Sequence, residues 1–266
     1  SSKETIINQA IKYHLQGKIS KALKYYQYII NQGYNDHRVY CNYGVILQEL
    51  GKSQEAEFFT RRAILFNQNY ADAYSNLGSI LQDLGKLKEA ELSLRKAIDL
   101  NPDFASAAYN LYLLSNNIEE AEERIIKCLK IDQDHIKAKL TLSALNLHQG
   151  DPKLFDLLMK SSYKNHPYIR SFKWGSTLPQ KTKLFFHRWA LFDNMISESK
   201  QSRPFYEFGV WRGASFKYLM NTFKKGYGFD TFEGLPEDWH QEKKGSYSAQ
   251  GIIPKIEGGR FIAGKF

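Results

Sequence analysis

Apolar and small residues return along the first 169 positions with a fixed period. In residues 71–104 they fall at Tyr74, Leu77, Gly78, Leu81, Gly85, Ala90, Leu94, Ala97 and Pro102. Spacings of three and four predict two amphipathic helices joined by a turn at Gly85. Gly78 and Ala90 are small where the two helices must approach closely. Tyr74, Leu77, Leu81 and Leu94 fill the space between them. Pro102 ends the second helix.

The same pattern stands 34 residues earlier, at Tyr40, Tyr43, Gly44, Leu47, Gly51, Ala56 and Ala63. A further 34 back it gives Ile6, Ala10, Tyr13, Gly17, Ala22 and Tyr26. Going forward, the unit 105–135 is three residues short, and we place the shortening at the turn Asn116-Asn117. The unit 136–169 restores the period through Leu142, Gly150 and Pro167. This period and these positions resemble the tetratricopeptide repeat. Five units over residues 1–169 therefore imply a solenoid of helical hairpins.

Asn8, Asn42, Asn76 and Asn110 lie 34 residues apart, each inside a first helix. Asparagine is a mediocre helix former, so four at one register require a reason. A side-chain amide both donates and accepts. Stacked repeats would align the four as a row that can hold the backbone of an extended peptide. The row resembles the asparagine ladder of the tetratricopeptide region of O-linked N-acetylglucosamine transferases. The alternative is that these amides tie neighbouring helices together.

The period breaks at Tyr168–Thr182, where Gly175, Ser176, Thr177 and Pro179 predict a linker over 170–182. Residues 181–199 return to helical spacing through Leu184, Phe185, Leu191, Phe192 and Met195, a helix expected to pack on the sheet that follows. Phe205–Phe208 is a short apolar strand, Gly209–Gly213 a turn, Ala214–Lys225 a helix stopped by Gly226, and Tyr227–Asp230 a second strand. Arg260–Phe266 is a candidate third strand. Residues 240–259, rich in Gly, Ser, Lys and Tyr, read as a mobile loop or a disordered tail.

A strand ending in glycines, then a helix, then a strand ending in an acid suits an adenosine-bearing cofactor. Trp211 stands where a dinucleotide fingerprint needs its second glycine, and no Gly-Lys-Ser/Thr follows. Glu207 near the turn suits a sulfonium and an ammonium better than a pyrophosphate. This favours S-adenosylmethionine. Glu207–Ser215 with Gly228–Pro236 resembles the macrocin O-methyltransferase branch of class I S-adenosylmethionine-dependent methyltransferases. The resemblance implies that Glu207, Gly209 and Gly213 line the methionine end. It implies that Asp230 binds the ribose and that Thr231 and Phe232 border the adenosine. Without the resemblance, Asp230 also reads as a turn-capping acid.

The expected fold class is thus mainly α: the solenoid over 1–169, then an incomplete α/β Rossmann-like domain over 183–266. The chain ends 36 residues after Asp230. The family's metal-binding carboxylates and catalytic base have no counterpart, so a divalent metal is expected only with residues beyond Phe266. The leading expectation is a repeat-tethered O-methyltransferase holding the first half of the cofactor site and inactive alone, with room for a small-molecule or glycan acceptor. The alternative is a non-enzymatic scaffold that binds an extended peptide along its concave face.

Charge sharpens this only slightly. Residues 1–169 carry 21 Lys/Arg against 19 Asp/Glu, and residues 170–266 carry 16 against 9. The C-terminal surplus is scattered, including Lys181, Lys224, Lys225, Lys243 and Lys255, and predicts solvated surface rather than specific nucleic-acid binding. Cys41 and Cys128 have no metal-like spacing and read as reduced thiols of a cytoplasmic protein. No apolar run is long enough to span a bilayer.

Overall fold

A computed structural model describes residues 2–178, 183–237 and 244–264. The chain divides into two compact units, Ser1–His187 and Arg188–Phe266. The first is a run of paired helices: α1 (Lys3–Leu15) with α2 (Ile19–Asn31), α3 (His37–Glu49) with α4 (Ser53–Phe66), and α5 (Ala71–Asp83) with α6 (Leu87–Leu100). Two further pairs follow, α7 (Ala105–Tyr112) with α8 (Ile118–Ile131), and α9 (Ile136–Gln149) with α10 (Lys153–Met159).

Each pair closes for local reasons. After α3 and α5 the chain enters the left-handed region at Gly51 (φ 71°) and Gly85 (φ 74°). Lys52 and Lys86 then donate back to the carbonyls of Leu47 and Leu81, at 2.8 and 2.9 Å. A residue with a Cβ is disfavoured in that conformation, so glycine recurs at this step. Helix α8 starts on a reciprocal cap. The Asn117 side chain accepts from the Glu120 N–H at 2.8 Å, and the Glu120 carboxylate accepts from the Asn116 N–H at 2.9 Å.

The small residues sit where pattern reading put them. Ala56, Ala90 and Ala121 are fully buried in second helices. Gly78 lies against Leu94, so that an added Cβ would stand 2.6 Å from its Cγ. First helices α1, α3, α5 and α7 each touch the next first helix, while α2, α4, α6 and α8 pack on the first helices of their own and the following pair. Like helices approach more closely on the inside of a curved stack, so the first helices form the inner layer.

The shortened unit differs from its expectation. The missing residues come out of the first helix, since α7 has 8 residues where α5 has 13. The expected linker also differs: α11 (Pro167–Ser176) covers its first part. Pro167 occupies the first helical turn, where its missing N–H costs nothing, and Ile169 is fully buried. Pro179 and Thr182 lie outside the described residues.

In the second unit β1 (Phe205–Phe208), β2 (Gly226–Asp230) and β3 (Gly259–Ala263) form a parallel sheet in the order β1-β2-β3. Two helices accompany it, and both are shorter than expected. The first, α12 (Arg188–Glu198), begins after residues 183–187 have run non-helically. It packs through Trp189 and Phe192 on Tyr218 of α13 (Ala214–Met220). Helix α13 stops at Met220, and Phe223 turns inward beneath Phe205. One sheet face is buried on Phe216. The other carries the stacked rings of Tyr206, Phe208, Tyr227 and Phe229, of which Tyr206 and Phe208 are exposed.

The described part of the loop after β2 is hydrogen-bonded to the turn at 232–235. Residues 240–243 of the loop lie outside the described residues. Beyond them Leu235 and the Gly245–Ser246 backbone exchange hydrogen bonds of 2.9 Å, and Ala249 and Gly251 both donate to the Phe232 carbonyl. Ala249 is buried.

Candidate functional site

The four asparagines occupy equivalent positions on α1, α3, α5 and α7, the inner layer. Asn8 is exposed, and Asn42, Asn76 and Asn110 are half-buried. Two of them reach neighbouring helices. Asn76 Nδ2 donates to Cys41 Sγ across α5 and α3 at 3.2 Å, and the Asn42 side chain hydrogen-bonds Tyr26 of α2. Asn8 hydrogen-bonds Glu4 on its own helix. The Asn110 carbonyl accepts from Gln82 Nε2 at 2.9 Å. An amide has two N–H groups and an oxygen with two lone pairs. A tie through one N–H leaves groups for a bound backbone, so both expected roles are chemically compatible at Asn42 and Asn76.

The inner layer is polar around this row. Arg38 forms a bidentate pair with Glu4 at 2.9 Å and also binds Asp36 at 2.8 Å. The hydrogen bonds that Arg38 donates to Asp36 and Glu4 raise its guanidinium further above its ordinary value, against the effect of burial. Gln48 Nε2 donates to Ser79 Oγ and Asp83 Oδ2, at 2.9 and 2.7 Å. These contacts link successive first helices and leave an inner surface of amides and carboxylates.

The second candidate lies at the carboxyl ends of the strands. Because β1 and β2 are parallel, the turns after Phe208 and Asp230 meet at one edge. Asp230 fastens them: its Oδ2 accepts from the Trp211 N–H at 2.6 Å and its Oδ1 from the Phe232 N–H at 2.8 Å. Both donors are non-glycine residues in the left-handed region, Trp211 at φ 51° and Phe232 at φ 59°. Such conformations are disfavoured, and charge-assisted bonds to one carboxylate hold them. The turn-capping role open to Asp230 in the sequence is thus its observed contact.

A pocket of about 450 Å³ opens beside this edge, lined by Gly209, Asp230 and Thr231 with Phe208, Trp211 and Tyr247 among its walls. Of the six expected cofactor residues these first three line it. Glu207, Gly213 and Phe232 do not: Phe232 is buried beneath the turn, and Gly213 packs against Pro254 and Ile256. Glu207 points to the α13 side, where it accepts from Ser215 Oγ. Its Oε2 is buried without a hydrogen-bond partner. Burial raises its carboxyl above the ordinary value, the Ser215 bond opposes this, and Asp230 adds to it. The described residues contain no group of three or more His, Cys, Asp or Glu side chains placed to hold a metal ion. No described helix is long and apolar enough to cross a membrane.

The sequence model of the tetratricopeptide repeat matches residues 37–70 and, in a second version, residues 71–104. Residues 37–104 are tetratricopeptide repeats. The fold agrees with solved structures. The chain is similar to Pseudomonas aeruginosa pilF (16% identity, 64% of this chain and 88% of that one, TM-score 0.54). It is similar to TTC0263, a thermophilic tetratricopeptide protein of Thermus thermophilus (15% identity, 65% and 97%, TM-score 0.53). It is also similar to MamA 41-end from Desulfovibrio magneticus RS-1 (22% identity, 62% and 97%, TM-score 0.51). At these identities the likeness is one of fold. No curated protein matches the chain. The comparisons support the repeats and give no support to a methyltransferase domain in residues 188–266.

Sequence reading overlooked most of the pocket wall. Phe208, Phe229 and Tyr247 look like core or loop residues in the pattern. The alternation of β1 carried the signal: Phe205 and Glu207 face one side, so Phe208 must face the other with Tyr206. In the repeats, the cross-helix ties from Asn76 and Gln48 had no signal beyond their register.

Proposed function

We propose that the chain is a tetratricopeptide scaffold that holds an extended segment of a partner protein against its inner layer. The row of Asn8, Asn42, Asn76 and Asn110 at one register carries the reading. Backbone groups recur along any extended peptide, so amides repeated along the stack can hold it without reading side chains. The polar lining supplied by Gln48, Asp83 and the Glu4–Arg38 pair suits a hydrated backbone better than an apolar helix.

The test is fluorescence anisotropy of the full chain with three labelled, unrelated fifteen-residue extended peptides. Backbone recognition predicts weak affinities that agree within about tenfold, since the groups recognised are common to all three. Replacing Asn42, Asn76 and Asn110 together by alanine abolishes all three, at a temperature where circular dichroism reports both proteins folded. Binding that survives the triple substitution refutes the role of the row.

A second reading rests on the strand-edge pocket. Residues 188–266 would hold part of an S-adenosylmethionine site, serving methyl transfer to an acceptor hydroxyl. The aromatic walls of Phe208, Trp211 and Tyr247 favour a flat or cationic organic group, while Glu207 points away from the pocket. The two backbone bonds on Asp230 disfavour a free ribose-binding acid, so the residues fit the cofactor only in part. Calorimetry of the full chain with S-adenosylhomocysteine decides it. Absence of heat, or heat unaffected by Thr231→Ala and Asp230→Asn, removes this reading.

A further inference from the structure

The far end of the array carries a surface that peptide binding on the inner layer does not use. Residues 157–192 hold seven Lys/Arg and no Asp/Glu, a run of 36 positions in a chain with 28 acids. The described first part of this run is the end of α10, a short 3-10 helix at Ser162–Asn165 and then α11, and these three elements contact one another. Each of the two α-helices turns one face to the array. Phe155 and Ile169 are buried there, with Leu158, Met159 and Phe172 packed around them.

The opposite faces combine exposed apolar side chains with cations. On α10, Leu157 is 63% exposed, and Lys153 and Lys160 lie one turn to either side of it. On α11, Trp174 is 67% exposed, with Arg170 one turn before it and Lys173 beside it. Lys164 is exposed between the two helices. Single exposed apolar residues are ordinary. Here a leucine and a tryptophan are each set among cations on adjoining elements. Lys153 pairs with Asp151 at 3.6 Å. Among the described residues Lys160, Lys164, Arg170 and Lys173 enter no ion pair. Asp156 is the one acid on α10, the 3-10 helix and α11.

We propose that this end of the array rests on an anionic phospholipid surface, with Leu157 and Trp174 entering the headgroup region and Lys160, Lys164, Arg170 and Lys173 on its negative headgroups. Charge complementarity selects an anionic partner, since no carboxylate of the chain between Asp156 and Asp193 competes for these cations. The apolar groups select a bilayer among anionic partners. Tryptophan and leucine both gain at the boundary of headgroups and acyl chains, whereas leucine has no ring face on which a nucleic-acid base could stack. The four cations follow one another at spacings of four, six and three residues, which gives no register for a phosphodiester backbone or an acidic strand. Fluid headgroups need none. The contact is peripheral and stands independently of the inner-layer reading.

The experiment is co-sedimentation of the full chain with phosphatidylcholine vesicles, with and without phosphatidylserine, at low salt and at about 0.5 M salt. The expected result is binding only where phosphatidylserine is present, lost at high salt. Three variants locate the contact. Lys164→Glu, Arg170→Glu and Lys173→Glu together lower the partition coefficient at least about tenfold. Lys24→Glu, Lys96→Glu and Lys130→Glu, exposed elsewhere on the array, make the same change of net charge and leave it within about threefold. Leu157→Ala with Trp174→Ala lowers it at least about fivefold, which adsorption by charge alone would not show. All the substituted positions are exposed, and circular dichroism checks that each variant is folded. Absence of binding to phosphatidylserine vesicles overturns the proposal. So does equal loss in the two charge-reversed variants, or binding unaffected by Leu157→Ala with Trp174→Ala. Tighter binding of a single-stranded oligonucleotide or a polyglutamate peptide, removed by the reversal at Lys164, Arg170 and Lys173, also overturns it and gives the surface to that partner.

Discussion

Replacing Gly78 by alanine should destabilise the array, and removing Leu94 should reverse the sign of that effect. A Cβ at Gly78 would stand 2.6 and 2.8 Å from Leu94 Cγ and Cδ2, and 3.3 Å from the Ala90 carbonyl oxygen. Carbon atoms in good packing sit about 3.5–4.0 Å apart. Either α5 and α6 separate or Leu94, fully buried, leaves its rotamer. Overpacking of this kind costs about 1–3 kcal/mol. Alanine gains about 1 kcal/mol over glycine inside a helix. The net expectation is a loss of about 1 kcal/mol. Leu94→Ala alone leaves a cavity and costs about 3 kcal/mol. In that background the alanine at position 78 has room, keeps its helical advantage, and should stabilise by about 1 kcal/mol. The coupling between the two sites is then about 2 kcal/mol, well above the scatter of independent sites. Urea denaturation of the four proteins, followed by circular dichroism, measures the cycle. Hydrogen exchange of α5 and α6 amides guards against non-two-state melting of a repeat array. If Gly78→Ala stabilises the otherwise unchanged chain, the close approach of α5 and α6 is wrong.

Burial pushes the Cys41 thiol up to about 12 and the Cys128 thiol up to about 11. Both should therefore resist Ellman's reagent at pH 8 in the folded chain and react fully in urea; rapid native labelling contradicts their placement. Asp230→Ala removes the acceptor of two backbone N–H groups and should cost about 2–4 kcal/mol locally, seen as a changed Trp211 fluorescence and faster exchange of the Trp211 and Phe232 amides. Unaltered amides would show that the carboxylate does not fasten the turns. The Glu207 carboxyl is raised in the folded state, chiefly by burial. Its stabilising protonated form is fully present below the unfolded value, and that contribution is lost as pH rises through the folded one. Glu207→Gln should therefore raise the stability of residues 188–266 relative to the parent at pH 7, with the difference closing at pH 4. A difference that grows on acidification refutes the assignment.

The repeats were legible because one physical constraint acts at every unit. Two helices meeting at Gly78 and Ala90 admit few residues, and a stack repeats the constraint every 34 positions. The shortening of the unit after Pro102 was legible, but its location was not. Asn116-Asn117 looks like a turn in either case, and only packing shows that α7 lost the residues. Helix α11 was missed because Gly175 and Ser176 signal a break, whereas buried Ile169 holds the helix through them. At the strand edge, glycines and an acid at the right spacing suggested a ligand pocket. Spacing does not reveal where a carboxylate's lone pairs go, and those of Asp230 go to Trp211 and Phe232.

Hydrogen–deuterium exchange of the full chain, with and without a saturating extended peptide from the anisotropy panel, tests the scaffold most directly. Protection concentrated on α3, α5 and α7, where Asn42, Asn76 and Asn110 lie, is the predicted result. Protection confined to the turns after β1 and β2, or an exchange pattern unchanged by peptide, would contradict it.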